Sequence, residues 1–189
     1  MPSPSHAGRT VRFCGVALWL ATAAGAMASP ANVLPATAET PIEPPALLIP
    51  VEGVTASALR DTFAEGRDGK QRGHEAIDIP ASRGTPVLAV ADGRIAKLFL
   101  SKPGGITIYQ FDPSGQFAYY YAHLERYATG MAEGQPVIRG STIGYVGASG
   151  NANPATPHLH FAIFRLGPEK QWWTGEPINP FGYLGGRKF

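Results

Sequence analysis

Glycine and proline decide what this chain can fold into. There are 23 glycines and 18 prolines among 189 residues. Beyond Val51 they cut the sequence into apolar runs too short for stable helices and long enough for strands. Gly84-Thr85-Pro86 feeds the apolar run Val87 to Val90, which Ala91-Asp92-Gly93 closes with a hairpin-grade turn. Arg94 to Phe99 alternates polar with apolar residues, as a half-buried strand does. Gly105 to Phe111 and Gln116 to Tyr121 flank Asp112-Pro113-Ser114-Gly115, a second hairpin signal. Gly134-Gln135-Pro136-Val137 echoes the earlier Gly-x-Pro-Val, Ile143 to Val146 follows a glycine-bounded turn, and His158 to Phe164 is a further strand. Helix signals are confined to Ala56–Ala64 and Leu124–Met131, each enough for a turn or two. The expected fold is mainly β and antiparallel, with few short helices.

Residues 1–12 carry Arg9 and Arg12 and no acid, Phe13 to Ala24 is almost unbroken apolar sequence, and Ala26-Met27-Ala28 is a small-x-small cleavage pattern. Residues 1–28 therefore read as a secretory signal peptide. A helix over residues 13–28 would span roughly 24 Å, short of a ~30 Å hydrocarbon core, which disfavours a retained N-terminal membrane anchor. Residues 29–50 hold six prolines and read as an extended, Pro-rich linker. The folded domain is then residues 51–189, and the chain is expected to be exported, to the periplasm, cell envelope or extracellular space.

Export also settles what chemistry is missing. Cys14 is the sole cysteine and leaves with the signal, so disulfides and cysteine nucleophiles are excluded from the exported chain. The formal charge of +2 dissolves likewise: without Arg9 and Arg12 the chain carries 14 basic and 14 acidic residues. No basic footprint for nucleic acid remains.

Histidine carries the chemistry. His6 lies in the signal, leaving His74, His123, His158 and His160. In His158-Leu159-His160, strand geometry puts both imidazoles on one face, about 6.6 Å apart. His74 and Asp78 are four residues apart, and two geometries compete. On a helix, His74-Glu75-x-x-Asp78 would resemble a zincin site with Glu75 as base. Gly73 and the β-branched run Ile77-Asp78-Ile79-Pro80 favour a strand instead. A straight strand would hold His74 and Asp78 roughly 13 Å apart, so the chain must bend near Gly73 or His74 if the two are to share a ligand, with Glu75 pointing away. His74, Asp78 and His160 together offer two imidazoles and one carboxylate, a donor set that suits one catalytic Zn²⁺ with a position left for water.

His74-x-x-x-Asp78, Tyr121-Ala122-His123-Leu124 and His158-Leu159-His160-Phe161 occur in an order and at separations that resemble the LytM/lysostaphin-type zinc endopeptidases. Gly140-x-x-Ile143-Gly144-x-Val146-Gly147 and Asn179-Pro180-Phe181 support the resemblance, which runs from about Asp61 to Leu184. Ala76 stands where many members carry glycine. The resemblance implies a β-sandwich-like core, a barrel-sandwich hybrid, with a groove over the zinc. It makes His74, Asp78 and His160 the metal ligands and leaves His123 and His158 beside the metal as the catalytic proton carriers. It implies hydrolysis of peptide bonds in peptidoglycan stem peptides or crossbridges. The competing reading within the same family is a non-catalytic protein that binds cell wall or regulates an amidase. Trp172 and Trp173, the run Tyr119-Tyr120-Tyr121, Arg67, Arg72 and the loop Ser149 to Thr156 are further candidates for the groove.

Overall fold

Asp112 shows how local chemistry sets the strands. Its Oδ1 accepts from Phe117 N at 2.8 Å and its Oδ2 from Ser114 N at 3.0 Å, while Gly115 supplies a φ of 65°. That turn joins two long antiparallel strands. The computed structural model describes residues 42–67 and 72–186. The signal peptide expected over residues 1–28, and the linker up to residue 41, lie outside the described residues.

The strands are β1 (Gly66–Arg67), β2 (Arg72–Gly73), β3 (Ile77–Pro80), β4 (Pro86–Leu88), β5 (Gly93–Ser101) and β6 (Gly105–Phe111), then β7 (Phe117–Tyr127), β8 (Pro136–Val137), β9 (Thr142–Val146), β10 (His158–Arg165) and β11 (Glu176–Ile178). β1 and β2 form a separate hairpin, and the other nine make one sheet with the main path β11-β10-β7-β6-β5-β8. All strand pairings are antiparallel. The sheet branches at β7, whose edge pairs with β10 through Ala122 and with β9 from Leu124 onward. Val87, Ile143 and Val146 from the β4–β9 arm pack in the same core as Tyr119, Tyr121 and Phe161. The β4–β9 arm and the central strands thus share one core, and the expected mainly antiparallel β fold is present.

Two local expectations need correction. Leu124–Met131 is not helical: β7 continues to Tyr127 because β9 supplies backbone partners for Leu124, Arg126 and Tyr127, and the Arg126 guanidinium lies 3.5 Å from the Tyr145 ring centroid. Ala56–Ala64 yields only a three-residue 3₁₀ turn, Ala56–Ala58, without a side-chain cap. The packed chain also starts before Val51. Leu47 is fully buried and exchanges backbone hydrogen bonds with Tyr183 and Gly185, so sequence ahead of the expected boundary contributes to the core.

Alternation in the central strands separates core from site. Ile77, Ile79, Leu159, Phe161, Tyr119 and Tyr121 are buried on one face. Asp78, Tyr120, Ala122 and His160 lie between them in sequence and occupy the other, with His160 directly opposite both Asp78 and Ala122.

Candidate metal centre

β3 and β10 bring Asp78 and His160 together by register alone. His74 arrives by a different route, through a bend at Glu75, whose φ is 54°. The bend lies one residue beyond the position expected from sequence, and Glu75 itself is exposed. Backbone bonds from His74 N to Glu65 O and from Glu75 N to Phe63 O clamp the turn. A left-handed conformation at a non-glycine residue costs on the order of 1–2 kcal/mol, and here it folds the His74 ring back over β3. Because Ile77–Pro80 is a strand, the helical zincin arrangement is absent.

The three donor atoms converge. His74 Nε2 lies 3.0 Å from Asp78 Oδ1 and 3.1 Å from His160 Nδ1, and His160 Nδ1 lies 3.0 Å from Asp78 Oδ1. The tautomer of His74 is set from behind. Its Nδ1 is 2.9 Å from the Thr62 carbonyl, which can only accept, so Nδ1 carries a proton. A neutral His74 then turns an Nε2 lone pair toward a carboxylate oxygen. His160 Nδ1 meets the same carboxylate oxygen, so one atom from each of the three side chains faces a common point where a cation could be shared. The edges of the triangle are within a few tenths of the about 3.3 Å expected between ligands of a tetrahedral site with 2.0–2.1 Å bonds. The residues therefore fit a metal. Burial alone would raise the Asp78 pKa, but its contacts with His160 and His74 outweigh this and hold the carboxyl well below the usual range.

The other two histidines flank this cluster. The His123 ring centroid is 5.0 Å from His158 and 5.6 Å from His160, and His158 Nε2 is 3.8 Å from Asp78 Oδ1. Both rings are held by backbone carbonyls of one loop: His123 Nδ1 is 2.9 Å from Ser149 O, and His158 Nδ1 is 2.9 Å from Thr156 O. Each imidazole thus carries a proton on Nδ1 and, when neutral, a lone pair on Nε2. Burial, with the nearby histidines, pulls the His123 pKa down to about 4, so its Nε2 is unprotonated at neutral pH. The His158 Nε2 is buried and has no hydrogen-bond partner within the described residues.

Simple alternation would have sent His123 to the Tyr121 face of the sheet, since Ala122 lies opposite His160 on the face that carries the site. A bulge corrects it. His123 has a φ of 61°, the β6–β7 register shifts between Ile106 and Ile108, and His123 N bonds Gly104 O at 2.8 Å. Ser149 bridges the gap, its Oγ donating to Leu124 O at 2.6 Å and accepting from Ile106 N at 2.9 Å.

All five histidine and aspartate positions singled out by sequence therefore meet in one place. Sequence reasoning missed Thr62 and marked the loop Ser149 to Thr156 only as a groove candidate, because all three residues act on the histidines through backbone carbonyls that no side-chain motif reports. Asn179 is linked to the same framework: its Nδ2 donates to Asp61 Oδ2 at 2.9 Å, next to Thr62. Trp172 and Trp173 lie off the cluster, joined to it through Tyr109 and Tyr120. Arg67 and Arg72 pair across the β1–β2 hairpin through their backbones.

The model of peptidase family M23 matches residues 72–180, more than half of the chain and every one of these five positions. The chain belongs to peptidase family M23. Among M23 relatives, it is 34% identical over 136 residues to the L-Ala--D-Glu endopeptidase of Bacillus subtilis, covering 69% of this chain and 40% of that one. It is 32% identical over 108 residues to the peptidoglycan DD-endopeptidase ShyC of Vibrio cholerae, covering 57% of this chain and 24% of that one. The M23 fold is seen again in the catalytic domain of the antimicrobial peptidase lysostaphin from Staphylococcus simulans, with a TM-score of 0.55 and 25% identity over 68% of this chain and 93% of that one. The chain spans less than half the length of these curated relatives.

Proposed function

We propose that this M23 chain is an exported, zinc-dependent endopeptidase that hydrolyses peptide bonds in bacterial cell-wall peptidoglycan. The observation that carries the proposal is the convergence of His74 Nε2, Asp78 Oδ1 and His160 Nδ1, with two more imidazoles locked beside them. In this reading His74, Asp78 and His160 hold one Zn²⁺, which when bound would acidify a water and polarise a scissile carbonyl.

The chain's own groups then move the protons. His123 and His158 each present Nε2 as acceptor, with Nδ1 anchored on a carbonyl that keeps the ring from turning. One of this pair takes a proton from the attacking water, and a protonated imidazole returns one to the departing amine, the ordinary reach of general acid–base catalysis. Glu75 is exposed and takes no part. The pair's intact geometry supports hydrolysis over a purely wall-binding or amidase-regulating role. Export rests on the signal pattern in residues 1–28 and on relatives whose names place their action on peptidoglycan. Among the described residues no helix is long and apolar enough to cross a membrane.

The test is digestion of purified peptidoglycan with and without a chelator, read by mass spectrometry. Fragments released only when zinc is present support the proposal and identify the bond cut. No release by protein carrying one equivalent of zinc would overturn catalysis in favour of a wall-binding role.

A further inference from the structure

The outer face of the sheet carries a continuous line of aromatic rings leading away from the metal centre. Tyr120 stacks edge-on to His160, with ring centroids 6.0 Å apart, and Tyr109 is 4.6 Å from Tyr120. Trp172 lies 4.9 Å from Tyr109 and 5.3 Å from Trp173, crossing them at 63° and 78°. At the far end Tyr109, Phe164, Trp172, Trp173, Thr174 and Gly175 line a cavity of about 190 Å³. The loop over residues 172–175 can close this cavity only because residue 175 is glycine. A Cβ there would stand 2.7 Å from Arg165 O and 2.9 Å from Phe164 Cβ, pushing the loop off β10.

The lining specifies what would bind. No charged side chain contributes to it, so it selects a neutral group. Trp173 is 61% exposed, a large apolar ring left in water at the mouth. Tyr109 and Thr174 bring hydroxyl groups to the lining, and Trp172 and Trp173 bring indole N–H groups. Rings that offer apolar faces, with a few hydroxyls to fix orientation, match a sugar: its C–H face packs on an aromatic plane while its hydroxyls and amides reach polar groups at the rim. The stem peptides of a cell wall carry ionised ends and side chains, whereas its glycan backbone is rich in neutral pyranose rings.

We propose that this aromatic cavity is a glycan subsite, which seats an N-acetylated pyranose of the wall backbone while the attached peptide lies across the metal centre. The choice of polymer rests on the proposed peptidoglycan substrate, but the sugar chemistry of the cavity does not. The subsite makes cleavage favour peptides still attached to glycan over free peptides.

The probe is a soluble β-1,4 oligomer of N-acetylglucosamine, which carries no peptide. Added to the full protein, it should bind saturably in isothermal titration calorimetry. Binding should be lost in Trp173→Ala and retained in Trp173→Phe and in Asp78→Asn. Trp173 is exposed, so its replacement leaves the core intact, which circular dichroism checks. In hydrolysis, Trp173→Ala should cut intact wall about tenfold more slowly, equivalent to about 1.4 kcal/mol, and cut glycan-free stem peptides at the wild-type rate. Absence of oligomer binding, or binding that survives Trp173→Ala, overturns the subsite. So does an equal loss on wall and free peptide, which would assign the cavity to a peptide side chain. Oligomer binding by a protein that hydrolyses neither substrate would leave the subsite standing and overturn the catalytic reading instead.

Discussion

The Nδ1–H of His123 points at the carbonyl of Ser149 over 2.9 Å, and the hydroxyl of the same serine ties β6 to β7 across the bulge on which His123 sits. One residue therefore fixes both the backbone and the ring of a proposed proton carrier. Ser149→Ala keeps the carbonyl and removes the bridge. It should lower kcat with little change in KM, and Ser149→Thr should restore most of the loss. Steady-state kinetics on a defined muropeptide would measure it; an unchanged kcat for Ser149→Ala would break the link.

Removing a proton carrier outright should cost more. His158→Ala and His123→Ala should each reduce turnover by about 10²–10⁴-fold, the usual contribution of general acid–base catalysis, while retaining one bound zinc by elemental analysis. Glu75→Ala should leave turnover essentially unchanged. Loss of activity in Glu75→Ala with both histidine variants active would reverse the assignment.

Zinc affinity should depend on Thr62 although it touches no ion. Its Oγ1 accepts from Asp78 N at 3.1 Å and its carbonyl fixes the His74 tautomer. Thr62→Val removes the first contact, and competition titration should find zinc held about 10-fold more weakly. Chelation should lower the melting temperature of the wild type, since a metal bound only by the folded state adds stability.

Acid should destabilise the metal-free protein. The His123 pKa is lowered from 6.5 to about 4 by burial, so between these values the unfolded chain binds a proton that the folded chain refuses. Stability thus falls as pH drops through that window. Asp78 acts in the same sense further down: its carboxylate is favoured in the folded state, and that contribution is lost once the pH falls below the ordinary carboxylate range. His123→Asn, which tolerates the positive φ, should flatten the upper part of the profile in chelated samples. A melting temperature constant from neutral pH to about 4 would contradict the assignment.

The loop that holds both flanking histidines is itself wedged in place. Gly150 has a φ of 74°, and a Cβ on it would meet Gly105 N at 2.3 Å and Pro103 O at 2.4 Å. Gly150→Ala should cost about 2 kcal/mol or more by denaturant titration, because strain and overlap act together.

The sequence by itself determined the strands and the donors. Glycine and proline spacing marks where chains turn, and two-residue alternation marks which side chains share a face, so β3, β6 and β10 and the pairing of His158 with His160 could be read directly. Residue chemistry also marked the five positions of the site, because imidazole and carboxylate are the groups that hold metals and move protons. The tertiary structure alone decided how they meet. His74 reaches Asp78 through a left-handed Glu75, and His123 escapes the core face through a left-handed bulge, two conformations that local preference disfavours and only surrounding hydrogen bonds sustain. Leu124 to Tyr127 remained extended because β9, distant in sequence, supplied their partners. The anchoring role of Thr62, Ser149 and Thr156 was invisible in the sequence for the same reason: each holds its histidine through a carbonyl that every residue owns, and only the fold decides which carbonyl stands behind which ring.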